Sequence, residues 1–492
     1  MIASEAAPWA KTGGLADVVA ALPIALEAAG HDVTVVLPRY RGVDVPDAGV
    51  TTHRVRQGAR DQPLTLHRVP LSPRRRAVFV GAPELFDRAG LYGEGGLDYV
   101  DNARRFDLLG FAALEYASLE PGAPVDVIHA HDWQASLALA RLASENRWPA
   151  LRATGRVLTI HNLAYQGVFP RETLPALGLS WDLFRVESGE FWGKFSALKA
   201  GINAADFVTT VSPTYAEETR TAAGGAGLDG VLRAQGDRYV GILNGIDTEL
   251  WNPATDPFLP AHFSPEDLTG KTICKRALLA AVGLPQGDDA IARPLVGMVS
   301  RLVSQKGLDL IEQASTDLVA LDANYVFAGS GEARYENALR ALAAAHPSRV
   351  AVRIGFDERL AHLVEAGADL FLMPSEFEPC GLNQMYSLRY GTVPVVRAVG
   401  GLHDTIQPYT ARALHANGFK FSEGTAAALV RTLQQAVRLY HNLPVWRRLM
   451  VNGMTADHSW RQSAREYGKV YRRAAAAGAA RARNGHDLPA KG

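Results

Sequence analysis

Three places in the sequence set charged side chains beside glycine in the order that phosphate chemistry needs. The first is Lys11-Thr12-Gly13-Gly14-Leu15-Ala16-Asp17. Gly13 and Gly14 let the backbone approach an anion, and a helix starting there offers unpaired N–H groups with a favourable dipole. A plain strand-to-helix turn would look the same without Lys11, whose charge tips the reading towards phosphate. The second is Ser300-Arg301-Leu302-Val303-Ser304-Gln305-Lys306-Gly307, with Arg301 and Lys306 five apart in a turn that opens a helix. An Arg fork and a Lys point charge suit a diphosphate and would stabilise its departure. A solvated loop with two surface cations fits that spacing equally well. The third runs from Glu376 to Gln384 through Glu378-Pro379-Cys380-Gly381-Leu382. Pro379 fixes φ and Gly381 permits close approach before a helix. Glu376 reads as an acid that complements a helix dipole. Glu378, directly ahead of Pro-Cys-Gly, reads as a functional carboxylate.

Histidines form a weaker group. His129-Ala130-His131-Asp132-Trp133 and His161-Asn162 each close an apolar run. Two histidines two apart, without a third ligand in register, do not make a zinc site, and the chain contains neither HExxH nor Asp-x-Asp. No metal is expected. Asn244-Gly245-Ile246-Asp247 reads as a turn, and Tyr92, in Tyr92-Gly93-Glu94-Gly95-Gly96, as part of a flexible loop.

These clusters share one context. A short apolar run ends and a polar or glycine cluster follows: Val33–Leu37, Val125–Ile128, Val157–Ile160, Phe207–Val211, Leu295–Val299, Tyr325–Phe327, Val350–Ile354, Leu370–Met373 and Val393–Val396. Helical stretches such as Gly307–Ala320 and Glu332–Ala345 intervene. Strands that alternate with helices make parallel sheets, and uninterrupted apolar runs are strands buried on both faces. Such sheets bind ligands beyond the carboxyl ends of their strands, where the clusters lie. From Asn244 to Pro294 there are turn formers and no convincing strand, so the chain is expected to be α/β, with two doubly wound domains on either side of this region. At the start, only Met1, Ile2 and Ala3 precede polar Ser4-Glu5, so the first strand is expected to be clipped, as a misassigned start codon would make it.

Composition narrows the field. The 492 residues suit two or three domains. Lys plus Arg equals Asp plus Glu at 51 each, against the basic surplus of a general nucleic-acid binder. No apolar run reaches membrane-spanning length. The two cysteines, Cys274 and Cys380, form no CxxC pair, which points to a reducing, cytoplasmic setting.

Taken together, the motifs resemble bacterial glycogen synthases and plant starch synthases. The resemblance rests on Lys11 to Asp17, His131-Asp132-Trp133, His161 to Gly167, Leu243 to Asp247, Ser300-Arg301-Leu302 with Gln305-Lys306-Gly307, and Pro374 to Gln384, with Gly400-Gly401-Leu402 and Asp404-Thr405 in addition. They run in order from Ser4 to about residue 470.

The resemblance implies a GT-B fold: two facing Rossmann-like domains with a deep cleft, spanning 1–247 (acceptor side) and 248–457 (nucleotide sugar). A helix at 458–476 would cross back to the first domain, and a tail at 477–492 is expected to be disordered. It implies a retaining glucosyltransferase that uses ADP-glucose, with UDP-glucose the second candidate, to extend an α-1,4-glucan, without a cofactor. His161, Glu378, Arg301 and Lys306 would be catalytic. Lys11, Gly13, Gly14, Phe356, Cys380, Gly381, Leu382 and Tyr386 would bind the donor. Asp17, Tyr92, Asp132, Asn162 and Asn244 would line the sugar or acceptor pocket. Tyr386 stands where many relatives have a second Glu, Phe356 where a base-stacking Tyr is frequent, and Asn383 where Thr is frequent. The alternatives are a related transferase making maltose 1-phosphate or a sucrose-type product, and a non-catalytic glucan-binding protein.

Overall fold

The computed structural model describes residues 1–46, 49–119 and 124–484. They divide into two compact units, Met1–Gly245 together with the chain from Trp460 on, and Ile246–Ser459.

In the N-terminal unit, the strands Val127–His131, Gly155–Ile160, Phe207–Thr210 and Tyr239–Gly241 pair in parallel. A second group runs Val33–Pro38, Arg75–Gly81, Arg60–Ser72, Val50–Gln57. Only its first pair is parallel; the rest is an antiparallel meander. The meander lies outside the expected strand list. Its outer strand, VTTHRVRQ, is polar and only partly buried, so it lacks the apolar run that marks a buried strand. The N-terminal residues join the two groups: Ile2 is 3% exposed and bridges Val36 on one side and Ala130 on the other.

The C-terminal helix belongs to this unit. It extends from Trp460 to Arg483, so the expected break at 477 does not occur. Ala and Arg favour helix, and tertiary contacts hold the last turns. A Cβ on Gly478 would come 2.3 Å from the Ala153 carbonyl oxygen, so backbone lies against backbone there. Arg481 donates to Asp206 at 2.6 Å and to the Thr154 carbonyl at 2.9 Å. The rest of the expected disordered tail, 485–492, lies outside the described residues.

The C-terminal unit is a six-stranded sheet, parallel throughout, ordered Val350–Ile354, Asn324–Gly329, Leu295–Val299, Leu370–Met373, Val393–Arg397, Phe419–Phe421. In sequence order this is 3-2-1-4-5-6, so the winding reverses between Leu295–Val299 and Leu370–Met373. The loops after those two strands, bearing Arg301–Lys306 and Glu378–Leu382, therefore open where a doubly wound sheet binds its ligand. The strand-poor run after Asn244 is part of this unit rather than a linker: its helix Thr269–Val282 packs so closely on Glu358–Gly367 that a Cβ on Gly367 would meet the Cys274 carbonyl oxygen at 2.8 Å. Among the described residues no helix is long and apolar enough to cross a membrane.

Candidate active site

The site residues fall into one group per unit. In the C-terminal unit, three loops are stitched together around Glu378. Its Oε2 accepts from Lys306 Nζ at 2.6 Å and from Ser375 Oγ at 3.1 Å, and the residue is 6% exposed. Gln305 holds the first loop to the second: its carbonyl accepts from Glu376 N–H at 2.8 Å, and its side chain donates to the Phe377 carbonyl at 3.2 Å. Gly307 has φ 77, and a Cβ there would strike the Pro374 carbonyl oxygen at 2.1 Å, so this crossing requires glycine. The third loop lies under the carboxylate, where Gly401 N–H donates to the Glu378 and Pro379 carbonyls at 3.2 Å each.

Beyond Glu378 the chain turns at Gly381 (φ 71) into the helix Asn383–Arg389. Buried Gln384 ties this turn down through the Cys380 and Gly381 carbonyls, each at 3.0 Å, and Asn383 donates to the Val299 carbonyl at 2.7 Å. Cys380 is buried and Leu382 caps the helix. Arg301 is exposed and donates to Gln305 at 3.1 Å. Phe356, after the strand Val350–Ile354, is 86% exposed. Tyr386 stacks on Trp251 at 3.9 Å, and the far face of Trp251 stacks on His362 at 3.9 Å. His362 in turn bonds buried Asp256 at 2.7 Å. Glu376 lies on the loop, seven residues before the helix begins, so it does not complement a helix dipole.

In the N-terminal unit, Glu5 organises the glycine loop. Its carboxylate accepts from both the N–H and the hydroxyl of Thr12, the latter at 2.6 Å, and from the Tyr92 hydroxyl. Tyr92 also meets Ser4 at 2.8 Å, so a residue expected on a flexible loop is anchored. Gly13 caps the helix Gly14–Ala28 with no side-chain cap, and nothing lies within 4 Å of where its Cβ would be. Lys11 pairs with Asp17 at 2.6 Å, both partly exposed.

The histidines do not converge on a metal position but hand hydrogen bonds to one another. Tyr471 and Thr159 bond the two nitrogens of His129 at 2.8 and 2.6 Å; the His129 ring packs 4.1 Å from that of His131, and His131 Nδ1 meets His161 Nε2 at 2.9 Å. Burial pushes the His161 pKa down to about 3. The imidazole is neutral at working pH and is no general acid. The NMR shifts of His161 should therefore stay those of a neutral ring on titration from pH 8 to 5. An imidazolium midpoint near 6.5 would reject this. The unfolded chain takes up that proton below 6.5 and the folded chain does not, so this group costs stability as pH falls from 6.5 towards 3.

Asp132, at φ 55, accepts from His161 N–H at 2.7 Å. Burial raises its pKa to about 7, with the His161 and Asn162 N–H groups opposing the rise. Asn162 closes its own turn on Ala164 N–H at 3.0 Å. Asn244 is buried, and its Oδ1 has no hydrogen-bond partner among the described residues.

Sequence reasoning overlooked Glu5, Ser375 and Gln384. Glu5 was readable by the same rule as the others, since a polar pair directly after a buried residue sits at a strand's carboxyl end. Ser375 and Gln384 lie within the quoted motif, but only packing assigns their partners.

The starch synthase catalytic domain family matches residues 1–234, and the glycosyl transferases group 1 family matches residues 290–445. The chain is 51% identical to a glycogen synthase of Anaeromyxobacter dehalogenans, covering 96% of this chain and 98% of that one. It is 46% identical to a glycogen synthase of Koribacter versatilis, covering 96% and 97%. Among solved structures, the catalytic domain of starch synthase IV from Arabidopsis thaliana, bound to ADP and acarbose, matches with a TM-score of 0.85 at 35% identity over 96% of this chain and 98% of that one. Two Rossmann-like units of the GT-B plan, with nearly full-length identity of this order, establish that the chain belongs to the glycogen synthase family of glycosyltransferases.

Proposed function

We propose that the chain transfers glucose from ADP-glucose to the non-reducing end of an α-1,4-glucan, with retention of configuration, in the cytoplasm. The observation that carries this reading is the Lys306–Glu378–Ser375 cluster at the point where the C-terminal sheet reverses its winding. The ADP and acarbose held by the related starch synthase supply the ligand classes.

In this reading Arg301 and Lys306 grip the donor's diphosphate and stabilise its charge as the glycosyl bond opens. The backbone at Gly381 and Leu382 adds N–H donors, and Lys11 with the Gly13-Gly14 turn adds further anion contacts. Phe356 offers an open face to the base. Glu378 meets the sugar's hydroxyls and favours positive charge at the anomeric carbon. His161 presents its backbone carbonyl to that carbon, its ring held neutral by burial. Asp132, Asn162, Asn244, Asp17 and Tyr92 bound the sugar and acceptor. The course in this reading is front-face: the departing phosphate oxygen takes the acceptor hydroxyl's proton as the new bond forms on the same face.

The test is a donor competition. With glycogen as primer, glucose incorporation from ADP-glucose should exceed that from UDP-glucose at least tenfold in kcat/KM. Equal use of both would reject the donor assignment. Product formed on glucose 1-phosphate but not on glycogen would reject the polymerase reading.

A further inference from the structure

One exposed aromatic residue has no part in the site above. Trp192 and Gly193 form a two-residue turn between the short strands Glu190–Phe191 and Lys194–Ser196. Both have positive φ, 53 and 77. Turns with two positive φ values strongly favour Asn-Gly, because a bulky side chain is strained in the left-handed region. Here the first position holds tryptophan, 84% exposed. The sequence therefore accepts two unfavourable features at one residue, a strained backbone and an indole in water. The neighbouring Phe191 ring packs edge-on at 6.5 Å, yet most of the indole stays open for a contact with something else.

The surroundings hold the indole in place. Gly193 N–H is held by Glu190 Oε1 at 2.7 Å, and the Glu190 carbonyl accepts from Lys199 Nζ at 2.6 Å. The indole Nε1 lies 3.5 Å from where a Cβ on Gly227 would stand, so that edge abuts backbone. The neighbouring Ala226 carbonyl accepts from buried Gln166 at 2.9 Å, and Gln166 ends the loop that begins at His161. That same loop leads into the strand Val168–Phe169, which pairs with Lys194–Ser196. The platform is thus fixed to the segment that carries His161.

We propose that Trp192 is a stacking platform for the α-glucan chain, engaging sugar units away from the reacting end. The inference rests on the proposed function for its ligand. Sugar rings offer flat C–H faces rimmed by hydroxyls. An indole face meets the first, and Glu190 and Lys194 beside it can meet the second. A second copy of this chain fits poorly: Trp192 and Val186 among charged, exposed Arg185, Glu187 and Lys194 are far short of the apolar area of a stable dimer.

The experiment uses the full chain and its Trp192→Asn and Trp192→Ala variants. Asn is the residue the turn prefers, so this variant should fold with its Tm unchanged or raised by about 1–2 °C. In native gels containing glycogen without donor, both variants should lose about tenfold in affinity, and Trp192→Phe should recover part of it. In turnover, kcat/KM should fall about tenfold for glycogen and less than twofold for maltotriose. Variants retarded by glycogen as strongly as the wild type would overturn the proposal. So would a dimer-to-monomer shift with glycogen affinity intact. If the wild type binds glycogen but transfers no glucose from ADP-glucose, the proposed function fails, and the gel comparison still decides the role of Trp192.

Discussion

Glu378→Gln should lower kcat/KM for glucose transfer by about 10²–10³ while leaving the fold intact. The wild-type carboxylate is nearly buried and takes a proton donor from each side, Lys306 at 2.6 Å and Ser375 at 3.1 Å. Glutamine keeps the volume and one acceptor oxygen, so the three stitched loops retain their packing. What disappears is the negative charge, which acts twice. It holds Lys306 in a defined position, and in the proposed mechanism it favours positive charge developing on the sugar. The second effect exists only in the transition state, so it should appear in kcat, with KM for the donor changed no more than about fivefold. Lys306→Ala is the harsher change. It leaves a buried carboxylate with only a serine donor, and should cost about 3–5 kcal/mol of stability in addition to activity. Steady-state kinetics with glycogen, paired with thermal melts, separate the two effects. Turnover of Glu378→Gln within tenfold of wild type would remove Glu378 from the chemistry.

How far the sequence reveals this arrangement depends on where the information resides. The central strands of the C-terminal sheet announce themselves because they are buried on both faces: Leu295–Val299 and Leu370–Met373 are apolar without interruption. The loops that follow are glycine- and charge-rich for reasons of local geometry, as Gly307 and Gly381 show. The meander Val50–Gly81 is hidden because its outer strand pairs through backbone while its side chains face water. Glu5 was passed over as an interruption of the first strand, although its partners Thr12 and Tyr92 are 7 and 87 residues away. The far turns of the last helix read as tail because the Ala- and Arg-rich segment carries few large apolar residues. Its anchoring points, Gly478 and Arg481, work through close approach and one ion pair. For the last helix the missing knowledge concerns partners distant in the chain, Ala153, Thr154 and Asp206, which propensity and period do not encode.

Asp132→Asn should produce a protein more stable at alkaline pH and slower at its chemistry. Burial lifts the Asp132 pKa from 3.8 to about 7, so the folded chain holds a proton that the unfolded chain gives up. Stability from this group is fully present below 3.8 and is lost as pH rises towards 7. That difference corresponds to about 4 kcal/mol. Asparagine is isosteric, tolerates φ 55, and carries no titrating proton. Whatever constant offset its amide introduces, the variant should gain about 4 kcal/mol on the wild type between pH 3.5 and pH 8, read from denaturant unfolding at the two pH values. A constant difference across that range would mean the Asp132 carboxyl ionises normally. The activity should move the other way. Asp132 fixes the backbone of His161 through a 2.7 Å bond from its N–H, and the opposing Asn162 N–H needs an acceptor that an amide NH₂ cannot provide. In the proposed mechanism the His161 carbonyl must hold its place beside the anomeric carbon closely, so a shifted turn should lower turnover about 10²-fold. A buried, strained carboxylate that weakens the fold at the pH where it works is best explained by the position it imposes on His161.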